Sequence, residues 1–66
     1  MKVRQVSLSF DGFYIDGEPY GCIYGDEEPP EFEADALRIK VPLVSSKEQL
    51  EDVIYCMQWL KRKWKK

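Results

Sequence analysis

Residues 3–15, VRQVSLSFDGFYI, alternate polar and apolar side chains and break once, at Asp11-Gly12. Period-two alternation belongs to a strand with one buried face. Asp-Gly readily adopts the positive φ angles of a two-residue type I′ hairpin turn. Together these predict strands over 3–10 and 13–16, with Phe10 opposite Phe13 and Leu8 opposite Ile15. Leu8, Phe10, Phe13 and Ile15 then share one face, with Val6 on the same side of its strand. A slip of one residue would send every one of those side chains to water.

DGEP (16–19) is a second turn signal, followed by a strand over 20–24. A four-residue loop would point Tyr20, Cys22 and Tyr24 inward, and a five-residue loop would point Ile23 inward. The first is favoured because an unpaired cysteine is usually buried. Residues 25–35 read as a connection, since Pro29-Pro30 can neither donate ladder bonds nor continue a helix. ALRIKV (36–41) alternates again, with Leu37, Ile39 and Val41 inward and Arg38 and Lys40 outward, and Pro42 ends it.

The last segment reads as a helix over 46–64. Ser45 with Glu48, or Ser46 with Gln49, can form a capping box. Leu50, Val53, Ile54, Met57, Leu60 and Trp64 fall on one stripe at helical spacing. The predicted fold is a single α+β domain over 1–66: an antiparallel three- to four-stranded β-meander with one C-terminal α-helix packed across one face. Its expected core is Leu8, Phe10, Phe13, Ile15, Leu37, Ile39, Val53, Ile54, Met57 and Leu60.

A 66-residue chain hides only about 60% of its unfolded surface, near the lower limit for an independent core. No apolar run reaches membrane-spanning length, and MKVRQVSLSF lacks the apolar stretch of a secretory leader. A cytoplasmic setting is expected, in which Cys22 and Cys56 are reduced thiols. Two cysteines and no histidine fall short of a structural zinc set. The lack of histidine also removes the usual neutral-pH acid or base. No glycine-rich phosphate loop is present. These features argue against an enzyme, and no catalytic residue, metal or cofactor is expected.

Charge is distributed unevenly. Residues 1–35 hold two bases and nine acids, a net of −7, whereas 36–66 hold eight bases and three acids, a net of +5. Three surfaces could therefore bind a partner. Asp26, Glu27, Glu28, Glu31, Glu33 and Asp35 form an acidic run stiffened by proline, with Phe32 as an apolar anchor. The run could imitate a row of phosphates, although charge runs are most often solvated connections. Lys61, Arg62, Lys63, Lys65 and Lys66 could grip nucleic-acid phosphates, with Trp59 or Trp64 stacking on bases. The structural alternative is cations that complement the helix dipole at a frayed end. Tyr55 and Trp59 fall one turn apart on the helix face opposite the apolar stripe, flanked by Arg62 and Glu51, and such residues dominate protein interfaces.

The function expected is non-enzymatic binding of a macromolecule, in the manner of the stoichiometric inhibitors that phage and other mobile elements direct at host nucleic-acid enzymes. A nucleic-acid-binding module using the basic helix end and outward Arg38 and Lys40 is the alternative, and a self-associating subunit burying Tyr55 and Trp59 in a homodimer is the third. A protein partner is favoured over nucleic acid, and no membrane partner is expected.

Overall fold

The computed structural model describes residues 1–25 and 28–65. Strand β1 (Val3–Leu8) pairs antiparallel with β2 (Gly12–Ile15), and β2 pairs antiparallel with β3 (Glu18–Cys22). The chain then crosses to the far side of β1. There β5 (Ala36–Lys40) adds as a parallel strand, giving the order β3-β2-β1-β5. On the way it forms a two-residue strand, β4 (Phe32–Glu33). Helix α1 (Lys47–Lys63) packs against β1 and β2, and β6 (Trp64–Lys65) ends the described chain. This is the expected α+β fold with one C-terminal helix. The fourth strand does not extend the meander, however, because the 23–35 connection carries it past β1.

The first hairpin keeps its faces but not its turn. The register is Leu8 opposite Phe13 and Val6 opposite Ile15. Ser9 N–H donates to Gly12 C=O at 2.9 Å, so the turn falls at Phe10-Asp11 rather than Asp11-Gly12. Moving the turn by one position shifts the pairing by two, which preserves every inward side chain. Phe10 alone loses its strand position and is only partly buried. Gly12 has a different task. A Cβ there would meet the Gly21 carbonyl oxygen at 2.0 Å, so β2 and β3 approach only because the residue is glycine.

The I′ geometry appears at the second Asp-Gly. Asp16 (φ 53) and Gly17 (φ 85) are both left-handed between Ile15 and Glu18. The Asp16 carboxylate accepts from Gln5 N–H at 3.0 Å and pairs with the Arg4 guanidinium, fastening the turn to β1. The β2–β3 loop is thus shorter than either length anticipated. A bulge at Phe13/Tyr14 then skips Tyr20, so Tyr20 and Ile23 reach the core while Cys22 and Tyr24 are exposed.

The helix begins as expected and is rotated from what was expected. Ser46 Oγ accepts from Gln49 N–H at 3.2 Å, and Gln49 Oε1 accepts from Ser45 N–H at 2.9 Å, a capping box whose return bond reaches one residue further back. The buried side chains are Val53, Cys56 and Leu60, with Trp59 partly buried beside them. Leu50, Ile54 and Met57, all placed on the inward stripe by spacing, face solvent, and Ile54 is 46% exposed. The expected core is corrected at Ile54, Met57 and Ile39, while Leu37 is only partly buried. Packing supplies the reason. Cys56 is narrow enough to bring the helix onto the hairpin, where its Sγ lies 3.4 Å from Gly12 O and 3.5 Å from Ser9 O. That rotation also draws in the Trp59 indole, a larger apolar surface than the leucine, isoleucine or methionine left outside.

Two predictions follow the packing. Leu60→Ala should cost about 2–5 kcal/mol, as core truncations do, whereas Ile54→Ala should cost under about 1 kcal/mol; urea denaturation of both variants checks the ranking. The Gln5 N–H and then Arg4 hold the Asp16 carboxyl below its ordinary value of 3.8. A lowered folded value stabilises the protein above the unfolded value, and that contribution disappears as pH falls through the folded one. The stability advantage of the wild type over Asp16→Asn should therefore shrink as pH is lowered below about 3.8, measured by thermal melts across that range.

Candidate functional site

The acidic connection and the basic tail meet one another. Strand β4 pairs in parallel with β6, setting Phe32 beside Trp64 and Glu33 beside Lys65. Lys63 Nζ lies 3.1 Å from Glu28 Oε2. Trp64 Nε1 donates to Ala34 C=O at 3.0 Å. The Asp35 carboxylate accepts from Lys2 N–H at 2.6 Å. Glu33, Asp35, Lys2 and Lys65 line one open hollow of mixed charge. Of the acidic run, Asp26 and Glu27 lie outside the described residues, as does Lys66 of the tail.

Glu28, Glu31, Glu33 and Asp35 are exposed, but between them runs buried backbone and side chain rather than a free loop. Phe32, expected as an exposed anchor, is buried, with its ring 5.7 Å from Tyr20 in an edge-to-face contact. Tyr20 Oη donates to Glu31 C=O at 2.7 Å, tying the connection to β3. The helix end is not frayed either. Trp64 leaves helical geometry (φ −76, ψ 113) while its N–H still donates to Leu60 C=O, which turns the chain into β6. Among the tail's bases, Lys63 is engaged with Glu28, Arg62 sits over Trp59, and Lys65 is in the β4–β6 ladder.

The helix flank toward β3 carries Tyr55, Trp59 and Arg62. Tyr55 and Trp59 rings are 6.1 Å apart at 71°, and Arg62 Cζ stands 4.2 Å from the Trp59 ring centre. This is a cation–π stack. Tyr55 is 46% exposed, whereas Trp59 belongs partly to the core, its Nε1 buried without an acceptor among the described residues. The expectation that both aromatics face outward therefore holds for Tyr55 and is corrected for Trp59. Ile23, Glu51, Asp52 and Tyr55 surround a shallow hollow on the same flank.

Sequence reasoning missed the opposite flank. Leu50, Ile54 and Met57 are exposed on the helix side opposite Trp59, and Ile39 on β5 with Val41 and Leu43 just after it are exposed too. The signal was present: Trp59 and the Leu50–Ile54–Met57 stripe lie on opposite sides of one helix, and a small sheet covers only one of them.

Among the described residues no cluster of His, Cys, Asp or Glu is arranged to hold a metal ion. Burial, reinforced by the Asp52 and Asp11 charges, pushes the Cys56 thiol up to about 11, so it is protonated and unreactive at neutral pH. No described helix is long and apolar enough to cross a membrane.

Because Trp64 closes the connection onto the tail, Trp64→Ala should destabilise the whole domain by about 3 kcal/mol or more, as loss of a large packed aromatic does. Lys63→Ala should cost under about 1 kcal/mol, since its ion pair is exposed on the Glu28 side. Chemical denaturation of the two variants checks this, and a frayed tail would make both changes negligible. No protein family, curated protein or solved structure matches the chain.

Proposed function

We propose that the chain is a small non-enzymatic protein-binding domain whose contact surface centres on Tyr55, Trp59 and Arg62. The observation that carries this reading is the ordered stack itself: a guanidinium 4.2 Å above an indole, with a half-exposed tyrosine edge-on to the same ring. These residue types contribute most to protein interfaces. Holding them in place before the partner arrives lowers the entropy lost on binding.

The charged runs support the other readings less. A phosphate-mimicking inhibitor needs an uncompensated row of acids, yet Glu28 faces Lys63 and Asp35 caps the Lys2 amide. A nucleic-acid grip needs free cations, yet Arg62 and Lys63 are engaged within the chain. Both readings keep a definite consequence that the same experiment reads.

The test is affinity capture from the native host, followed by measurement of Kd on the purified pair. Tyr55→Ala with Arg62→Ala should weaken binding more than about tenfold, roughly 1.4 kcal/mol, with the fold intact by circular dichroism. Reversing Glu28, Glu31 and Glu33 to lysine should change Kd by less than about twofold. The opposite ranking replaces this surface with the acidic one. Steeply salt-dependent binding of single-stranded nucleic acid by the free protein would instead favour the basic tail.

A further inference from the structure

Strand β5 is the last strand of the sheet on its side, and among the described residues nothing pairs with its outer edge. Its backbone N–H and C=O groups there are open to strand addition. Ile39 is in register with buried Val6, so it lies on the helix side of the sheet, yet it remains 43% exposed. The helix packs on β1 and β2, and its Leu50–Ile54–Met57 flank is left exposed as well. Arg38 and Lys40 alternate onto the other face of the sheet, beside Gln5 and Ser7, with no acid in register. Lys47 and Lys61 border the apolar flank on the helix, Glu51 stands three positions before Ile54, and Glu48 and Asp52 fall on the far side.

We propose that the β5 edge receives an extended segment of a partner protein in which acidic and apolar residues alternate. The incoming strand continues the sheet beside Ala36–Lys40 and ends at Pro42, which has no N–H to offer. Its apolar side chains rest on Ile39, Ile54 and Met57, and its acids meet Arg38 and Lys40. Period-two geometry requires that division, since successive residues of a strand point to opposite faces. Charge decides against a second copy as the occupant. Two β5 strands paired antiparallel about a two-fold axis through Ile39, with both helices on one face, would set Arg38 of each copy against Lys40 of the other, and like charges directly opposite are destabilising. This surface is independent of the Tyr55–Trp59–Arg62 flank.

The experiment uses a short fluorescein-labelled peptide alternating glutamate and valine, a lysine–valine peptide of equal length, and the glutamate–valine peptide N-methylated at alternate residues. Fluorescence anisotropy at physiological salt should give saturable binding of the first peptide at least about tenfold tighter than of the second. N-methylation keeps the charge but blocks ladder bonds, and it should abolish binding. Arg38→Glu with Lys40→Glu should invert the preference. Tyr55→Ala with Arg62→Ala should leave it unchanged, which separates this inference from the proposed function. The proposal is overturned by absence of saturable binding, by equal binding of the N-methylated peptide, or by indifference to the charge reversal. It is also overturned if sedimentation equilibrium finds a dimer that Ile54→Asp dissociates, because the strip then belongs to a second copy.

Discussion

Everything after β3 depends on Phe32 meeting Trp64. The chain must travel from one edge of the sheet to the other before β5 can form, and among the described residues of that crossing only Phe32–Glu33 joins a ladder. Phe32 gives it an apolar foothold, packed on Tyr20 and registered beside Trp64. The Trp64 indole then takes the Ala34 carbonyl, and Asp35 takes the Lys2 amide at the threshold of β1 and β5. A domain this small has little core to spare, and part of that core is made from the connection and the tail.

Charge segregation along the sequence thus has an internal explanation. The acidic middle and the basic end are neighbours in space, with Glu28 facing Lys63 and Glu33 beside Lys65. Exposed ion pairs contribute little to stability. Their contribution is to the register: a misplaced tail would set bases away from acids, while the burial of Phe32 and the packing of Trp64 supply the energy. Arg38 and Lys40 on β5 stand apart from this arrangement, in register with Gln5 and Ser7 rather than with an acid.

Elements with a period were legible from the sequence, and junctions between elements were not. The hairpin faces, the existence of the β5 strand and the Ser46 cap all followed from local spacing, because each is set by residues a few positions apart, whereas the inward places expected for Ile39 and Val41 are exposed. The turn of the first hairpin was misplaced because Asp-Gly occurs twice, and only Asp16-Gly17 takes the left-handed conformation. The rotation of the helix was not legible, since spacing favoured Leu50, Ile54 and Met57 whereas tertiary packing favoured the narrow Cys56 and the broad Trp59. The β4–β6 pair was invisible for a simpler reason: two residues have no periodicity, and their partners lie more than thirty positions apart. Helical spacing alone places Tyr55 and Arg62 away from the buried stripe, and Tyr55 is exposed. The β5 strip was missed because its residues had been assigned to the core.

The Phe32–Trp64 seam is tested most directly by nuclear magnetic resonance of the free protein at neutral pH. It requires nuclear Overhauser contacts between the Trp64 indole N–H and Ala34, with that N–H exchanging slowly. It also requires an extended backbone at Trp64–Lys65 after a helix that stops at Lys63. A Trp64 indole that exchanges at the rate of an unfolded peptide, on a helix that runs on through Lys65 without contacts to 32–34, would contradict it.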